Sequence, residues 1–462
     1  MQQIQWARRL AVTAMVASLI VAAGCSSDTT PNTETAASAT ASAAPANPTT
    51  ATPATATNSA SANTGGGAAA ALRVPDAFSA VAVRQLSDPT FPFKGSDGKY
   101  HVAYDIELTN ASALPATIVK LDVVDASSPT TVIDSYEGLR LVDPDCQLGD
   151  CSRLRMVPQR PAASNVIPPQ ESRVLFIDFA FDSADQAPQA VMHHLYATAA
   201  ENPGSQTPVD VNYLAAPFNI SAGTPRVIGP PVKGDRWVAV NGCCLPGFPH
   251  RTSMATFNGM IINSQRFAID WKQLNEAGAF YEGDKTKNES YVDYGSDIIA
   301  VADGTISSAV DKLDANAPGV LPANDPVLGP QITVETVDGN HIVQDIGGGA
   351  YAFYAHLQRG SLLVKPGDTV KKGQVIAKLG NTGNANVSHM HFHLMNGPSL
   401  LGSDGIPYVL DTFDYAGQLP QDELVAADDY MTGSNFLADK LASPEPRIDE
   451  LPMSLAIVNF PS

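Results

Sequence analysis

Three histidines at alternating positions, His389, His391 and His393, with Met390 and Phe392 between them, are the residues best placed to do chemistry in this chain. A β-strand turns successive side chains to opposite faces. On a strand the three imidazoles therefore share one face, and Met390 and Phe392 take the other. Neighbouring histidines on that face sit about 6.7 Å apart, at about 3.3 Å of rise per residue. A zinc bond to imidazole nitrogen spans only about 2.0–2.1 Å. One ring can then hold a metal ion while the next reaches a water or a substrate beside it. A fourth histidine, His356, ends the apolar run YAFYAH. A lone strand histidine is ordinarily a satisfied structural residue, but three on one face with a fourth nearby predict a small hydrolytic metal site.

The segments that must position these rings are YAHL, then VKPGDTVKKGQVIAKLGNTG, then SHMHF, with YGSDIIAVADGTI (Tyr294 to Ile306) upstream. Together they resemble the lysostaphin-type (LytM-like) zinc metallopeptidases of bacterial cell walls, over about Gly242 to Phe413. The Gly-Asp-x-Val-x-x-Gly-Gln turn also occurs in lipoyl and biotinyl carrier domains, but those need a modifiable lysine on a hairpin tip and carry no histidine cluster. The resemblance implies Zn2+ as cofactor, with Asp270 and His391 as metal ligands and His356 and His389 acting on the water and the oxyanion. His393 lies on the same face, one step beyond that pair. The implied reaction is endopeptidase cleavage of peptidoglycan peptide cross-links by a zinc-activated water.

The chain departs from that family at one ligand. The family places a metal-binding histidine four residues before the aspartate, and here RFAID puts Arg266 at that position. An arginine stays protonated in proteins and cannot ligate a metal. Catalytic zinc usually keeps three protein ligands and an open water position, so a third ligand has to come from elsewhere. His250 in PHR is the favoured source. Cys243 or Cys244 as a thiolate is a second, and a degenerate site that binds wall peptide or regulates another wall hydrolase is the third reading.

The rest of the chain divides by composition. Residues 1–25 read as a lipoprotein signal peptide: Arg8 and Arg9, an apolar run from Leu10 to Ala23, then VAAGC. That run is too short to span a bilayer, which needs about 20 residues. Cys25 is the predicted lipidation site, which makes the protein exported and membrane-anchored. Residues 26–71, rich in Ala, Thr, Ser and Pro, cannot bury enough surface to fold and read as a tether. Residues 72–222 show short alternating runs such as HVAYDIELTN, ATIVKLDVVDA and SRVLFIDFAF, which predict a β-sandwich-like accessory domain. His193 and His194 there read as structural, and Cys146 and Cys151 as a small disulfide loop.

A Pro/Gly linker, GTPRVIGPPVKGDRW, leads into the second domain, 223–415, followed by a C-terminal extension, 416–462. QITVETVD, NHIVQDIG and YAFYAHL read as strands, and DKLDANAPGVLPANDPVLGP as a surface loop. His341, at the start of an apolar run, reads as structural. The predicted class is mostly β: the sandwich plus a small antiparallel β peptidase-like domain. A formal charge of −19 over 462 residues argues against nucleic acid as a partner and against electrostatic binding to anionic lipid. The expected partners are peptidoglycan peptides and, through the lipid, a membrane. Oligomeric state is not legible.

Overall fold

The computed structural model describes residues 76–461, apart from 88, 147–150, 158–159, 216, 221–222, 422–435 and 437–438. The predicted export signal, Cys25 and the predicted tether lie outside the described residues. No helix among the described residues is long and apolar enough to cross a membrane. The regular structure is almost entirely β, as the alternating runs predict.

The N-terminal part consists of two antiparallel sheets. One contains Val81–Gln85, Tyr100–Asn110, Ser172–Phe181 and Leu154–Arg155 in that order. The other runs Val209–Leu214, Ala190–Ala199, Ala116–Asp125 and Ser128–Glu137. Every second residue of the long strands points inward. Val102, Tyr104, Ile106 and Leu108 meet Ile118, Leu121, Val123, Leu195 and Ala197 in one core, which makes this a sandwich. His193 is buried in it and hydrogen-bonds Tyr104 Oη at 2.9 Å, while the adjacent His194 faces outward to Asn212 and Tyr196.

The C-terminal part is built on a ten-stranded antiparallel sheet. Its central strands, in spatial order, are His341–Asp345, Tyr351–Ala355, Met390–Met395, Ile269–Gln273, Gly234–Val240 and Ala456–Phe460. The last strand among the described residues, Ala456–Phe460, is thus an interior strand of this sheet. The predicted Pro/Gly linker holds a short strand, Arg226–Ile228, which pairs in parallel with Tyr408–Leu410. Its β-branched Val227 and Ile228 have found a partner between the flanking prolines. Backbone bonds from Ser96 N to Leu451 O and from Leu451 N to Lys94 O join the two parts.

QITVETVD does not form a strand. Residues 334–338 form turns, because Thr336 Oγ1 accepts from the Thr333 amide at 2.9 Å and the Thr336 amide bonds Thr333 O at 3.1 Å. Threonine hydroxyls that bond nearby backbone compete with sheet pairing, whatever the β-propensity of the run. The loop before it is irregular with two short 3-10 turns, Pro322–Asn324 and Gly329–Gln331. Asn316 ties it down by donating to Gly383 O and Ala385 O.

Candidate metal centre

The register of three central strands builds the site. Ile269–Gln273 runs antiparallel to Met390–Met395 with Asp270 opposite His391, and Tyr351–Ala355 places Ala355 opposite His391 on the other side. Directly opposed residues share a face, so Asp270 and His391 project together and His356 follows immediately after Ala355. Ile269, Trp271, Met390, Phe392 and Leu394 point the other way into the core. The apolar face anchors the strands, and the polar face is left to chemistry.

Three groups converge on Asp270 Oδ1. His391 Nδ1 lies 3.0 Å away, His250 Nε2 3.3 Å and His389 Nε2 3.4 Å. The His250 and His391 rings are 4.7 Å apart between centroids, close enough to ligate one ion. Atoms of His250, Asp270 and His391 all fall within 4.8 Å of one another, and all three residues are buried. His356 lies beside His389, the rings tilted by 57° with centroids 4.6 Å apart.

The hydrogen bonds fix which ring nitrogens are free. His250 Nδ1 faces the carbonyl oxygens of Asn241 and Ala268, both at 3.0 Å, so this nitrogen carries a proton and donates. His389 Nδ1 donates to Val387 O at 2.9 Å, and His356 Nδ1 to Thr382 O at 2.8 Å. In the neutral rings the lone pairs therefore sit on the three Nε2 atoms. Two of them, from His250 and His389, face a carboxylate oxygen, a contact that is favourable only with a cation between, a proton or a metal ion. The other Asp270 oxygen is held by Asn241 Nδ2 at 2.7 Å, and His391 Nε2 meets His393 Nδ1 at 3.0 Å. Partners that orient the ligating groups in this way are the usual companions of metal ligands. The donor set, two imidazoles and a carboxylate, suits zinc.

Electrostatics point the same way. Burial alone would lower the His250 pKa, but the Asp270 carboxylate beside it holds it raised. Burial would raise Asp270, yet His250 and His389 keep it well below the usual carboxylate range. Burial pushes His391 down to about 4 and holds His356 and His389 low as well, so these rings are neutral at pH 7.

His356 has a φ of 61°, a region that non-glycine residues visit rarely but histidine more than most. Its amide donates to Asp338 O at 3.1 Å and its ring to Thr382 O, so the conformation is fixed from both sides. Gly339, at φ 69°, lies so close to Thr382 that a Cβ would come within 2.4 Å of Thr382 O. Only glycine lets the Asp338 turn pass there.

Cys243 and Cys244 are disulfide-bonded to each other, which removes both as thiolate ligands. Cys146 and Cys151 form the second disulfide. His341 donates to Gly339 O at 2.8 Å and packs on Phe353, a structural role. Arg266 points away from the metal centre and is fully engaged by Asp105 and Asp404.

Sequence reasoning did not identify Asn241, Thr382, Val387 or Asp338. Three act through backbone carbonyls or an amide that carry no spacing signal. Asp338 carries a buried carboxyl, 5% exposed, whose Oδ2 has no hydrogen-bond partner, and burial pushes its pKa up to about 7.

The sequence model of peptidase family M23 matches residues 290–401. Among solved structures the chain is similar to the catalytic domain of the antimicrobial peptidase lysostaphin from Staphylococcus simulans. The identity there is 23%, covering 32% of this chain and 78% of that one, with a TM-score of 0.19. It is similar to the catalytic domain of the prophage-encoded M23 protein EnpA from Enterococcus faecalis at 18% identity, covering 30% and 73%, with a TM-score of 0.19. It is also similar to the deep-sea M23 metalloprotease pseudoalterin at 12% identity, covering 49% and 100%, with a TM-score of 0.22. The matched segment contains His356, His389, His391 and His393, while His250 and Asp270 lie ahead of it. Over residues 290–401, about a quarter of its length, the chain is thus similar to peptidase family M23.

Proposed function

We propose that this protein is a zinc metalloendopeptidase that cleaves peptide cross-links of bacterial peptidoglycan. The observation that carries the reading is the convergence of His250 Nε2, Asp270 Oδ1 and His391 Nδ1, with the other His250 nitrogen already committed to two carbonyls. Those three residues would hold the ion. Zinc, when bound, supplies a Lewis acid that acidifies water and polarises a peptide carbonyl.

The remaining chemistry belongs to the chain's own side chains. His356 and His389 are neutral at pH 7, and with Nδ1 committed to a carbonyl each keeps its lone pair on Nε2, the form needed to take a proton from water. After accepting it, the same nitrogen can donate to the oxyanion or to the leaving amine. Thr382 O and Val387 O hold the two rings in orientation throughout.

The wall substrate rests on the family and on the sequence around Cys25. A lipid there, with a tether of about 45 residues, would set the folded part at a mean distance of about 35–40 Å from a membrane, facing the wall polymer. The test is zinc content per chain together with cleavage of purified wall peptides. About one zinc, lost in His391→Ala and in His250→Ala, with peptide cleavage lost in parallel, is expected. A chain that takes up no zinc at neutral pH would sink the enzyme reading and leave a wall-binding or regulatory module.

A further inference from the structure

We propose that the N-terminal sandwich is the positioning element of the metal centre: Asp105 clamps Arg251 and thereby sets the neighbouring His250 against Asp270 and His391. This rests on the three-ligand reading above. His250 lies on no strand. It belongs to a turn-rich segment whose own backbone bonds are few, Thr252 N to Pro249 O at 3.2 Å and Ser253 N to His250 O at 3.3 Å. Loop segments of this kind are ordinarily the least rigid parts of a protein, whereas a ligand must be held to a fraction of an ångström.

The next residue supplies the rigidity. Arg251 is 1% exposed and inserts its guanidinium into the N-terminal sheet. Nη1 donates to Asp105 Oδ1 at 2.6 Å, and Nη2 donates to Tyr104 O at 3.0 Å and Ile177 O at 3.3 Å. The group lies 4.4 Å from the Phe176 ring centroid. All four partners sit on the strands Tyr100–Asn110 and Ser172–Phe181.

Asp105 Oδ2 accepts in turn from Arg266 Nη2 at 2.8 Å and Nε at 3.0 Å, and from Asn263 Nδ2 at 3.2 Å. The same Asn263 nitrogen lies 3.2 Å from Arg251 O, which ties down the backbone of the clamped residue as well. Arg266 reaches on to Asp404, so two arginines and two carboxylates balance in a buried network. The residue that stands in the family's ligand position has thus become part of the frame that carries the substitute ligand. Asp105 and Arg251 touch no reacting atom; they are positioning residues.

The experiment titrates the full chain with cobalt(II), following affinity by chelator competition and the visible ligand-field bands. Arg251→Met is expected to lose about 10–100-fold in cobalt affinity, with the same spectral change as His250→Ala. Arg153→Met breaks an ion pair with Asp178 that lies within the sandwich, and should leave affinity and spectrum as in the wild type. If Arg251→Met does not fold, Arg251→Lys keeps the charge but not the fork, and is expected to lose affinity in the same direction by less. A folded Arg251 variant with wild-type affinity and spectrum overturns the clamp, as does an Arg153→Met loss as large as that of Arg251→Met. A wild type that binds no cobalt, or a His250→Ala variant that binds like it, overturns the ligand assignment itself and the clamp with it.

Discussion

A carboxylate oxygen that faces the Nε2 atoms of two histidines is favourable only with a cation between them, either a proton on one ring or a metal ion. At Asp270 that arrangement is enforced by carbonyl groups behind the rings, because each carbonyl claims the only proton a neutral imidazole has to give. Reach to the Asp270 carboxylate, rather than the carbonyl partners, separates the two classes of histidine here. His250 and His391 have an atom within ligating reach of Asp270 Oδ1 and of each other, whereas His356 is not among the three ligating residues and is held by Thr382 O. His356→Ala should therefore keep zinc near wild-type stoichiometry while kcat falls by about 10²–10⁴. Zinc analysis and steady-state rates on one preparation measure both quantities. Loss of zinc in step with activity would place His356 among the ligands and refute the division.

At the scale of elements, the histidine strand is held by its other face. Met390, Phe392 and Leu394 are buried in the main core, and Phe392 packs edge-on against Tyr354 and Tyr408, with ring centroids 5.3 Å and 5.5 Å away. Phe392→Ala should cost about 3–5 kcal/mol, the usual range for removing a buried aromatic ring, read by urea unfolding of the metal-free protein. A cost under about 1 kcal/mol would mean that this face does not anchor the strand. Period-two alternation makes that strand legible in the amino-acid sequence, because His389, His391 and His393 share one face while Met390, Phe392 and Leu394 share the other. The pairing of Asp270 with His391 is not legible from spacing, since 121 residues separate them and only sheet register brings them together. His250 can be singled out as a candidate but not placed, because a turn has no period to read. The disulfide between Cys243 and Cys244 escapes for a different reason: adjacent cysteines are ordinarily expected to seek partners elsewhere in the chain. QITVETVD misleads because its β-formers are overruled by a local Thr333–Thr336 turn.

At the scale of the whole molecule, the described residues cluster within one compact unit, so a change deep in the sandwich bears on the stability of the part that carries the metal centre. His193 offers a clean test far from any ligand. Buried against Tyr104 and stacked on Phe218, it has a pKa pushed by burial from the usual 6.5 down to about 3. Between those values the unfolded chain binds a proton that the folded chain refuses. Stability from this residue is thus fully present above about pH 6.5 and is lost as the pH falls towards 3. At pH 5 the loss should be on the order of 2 kcal/mol, taking 1.36 kcal/mol per pH unit below the unfolded value. Other groups also titrate in this range, so the comparison has to be internal. His193→Gln cannot gain a charge, and its unfolding free energy should fall less than that of the wild type between pH 7 and pH 5. Urea unfolding of the metal-free proteins at the two pH values gives the double difference directly. Equal losses in the two proteins would show that His193 already takes up its proton in the fold, and that the sandwich core beneath Asp105 is wetter than its packing indicates.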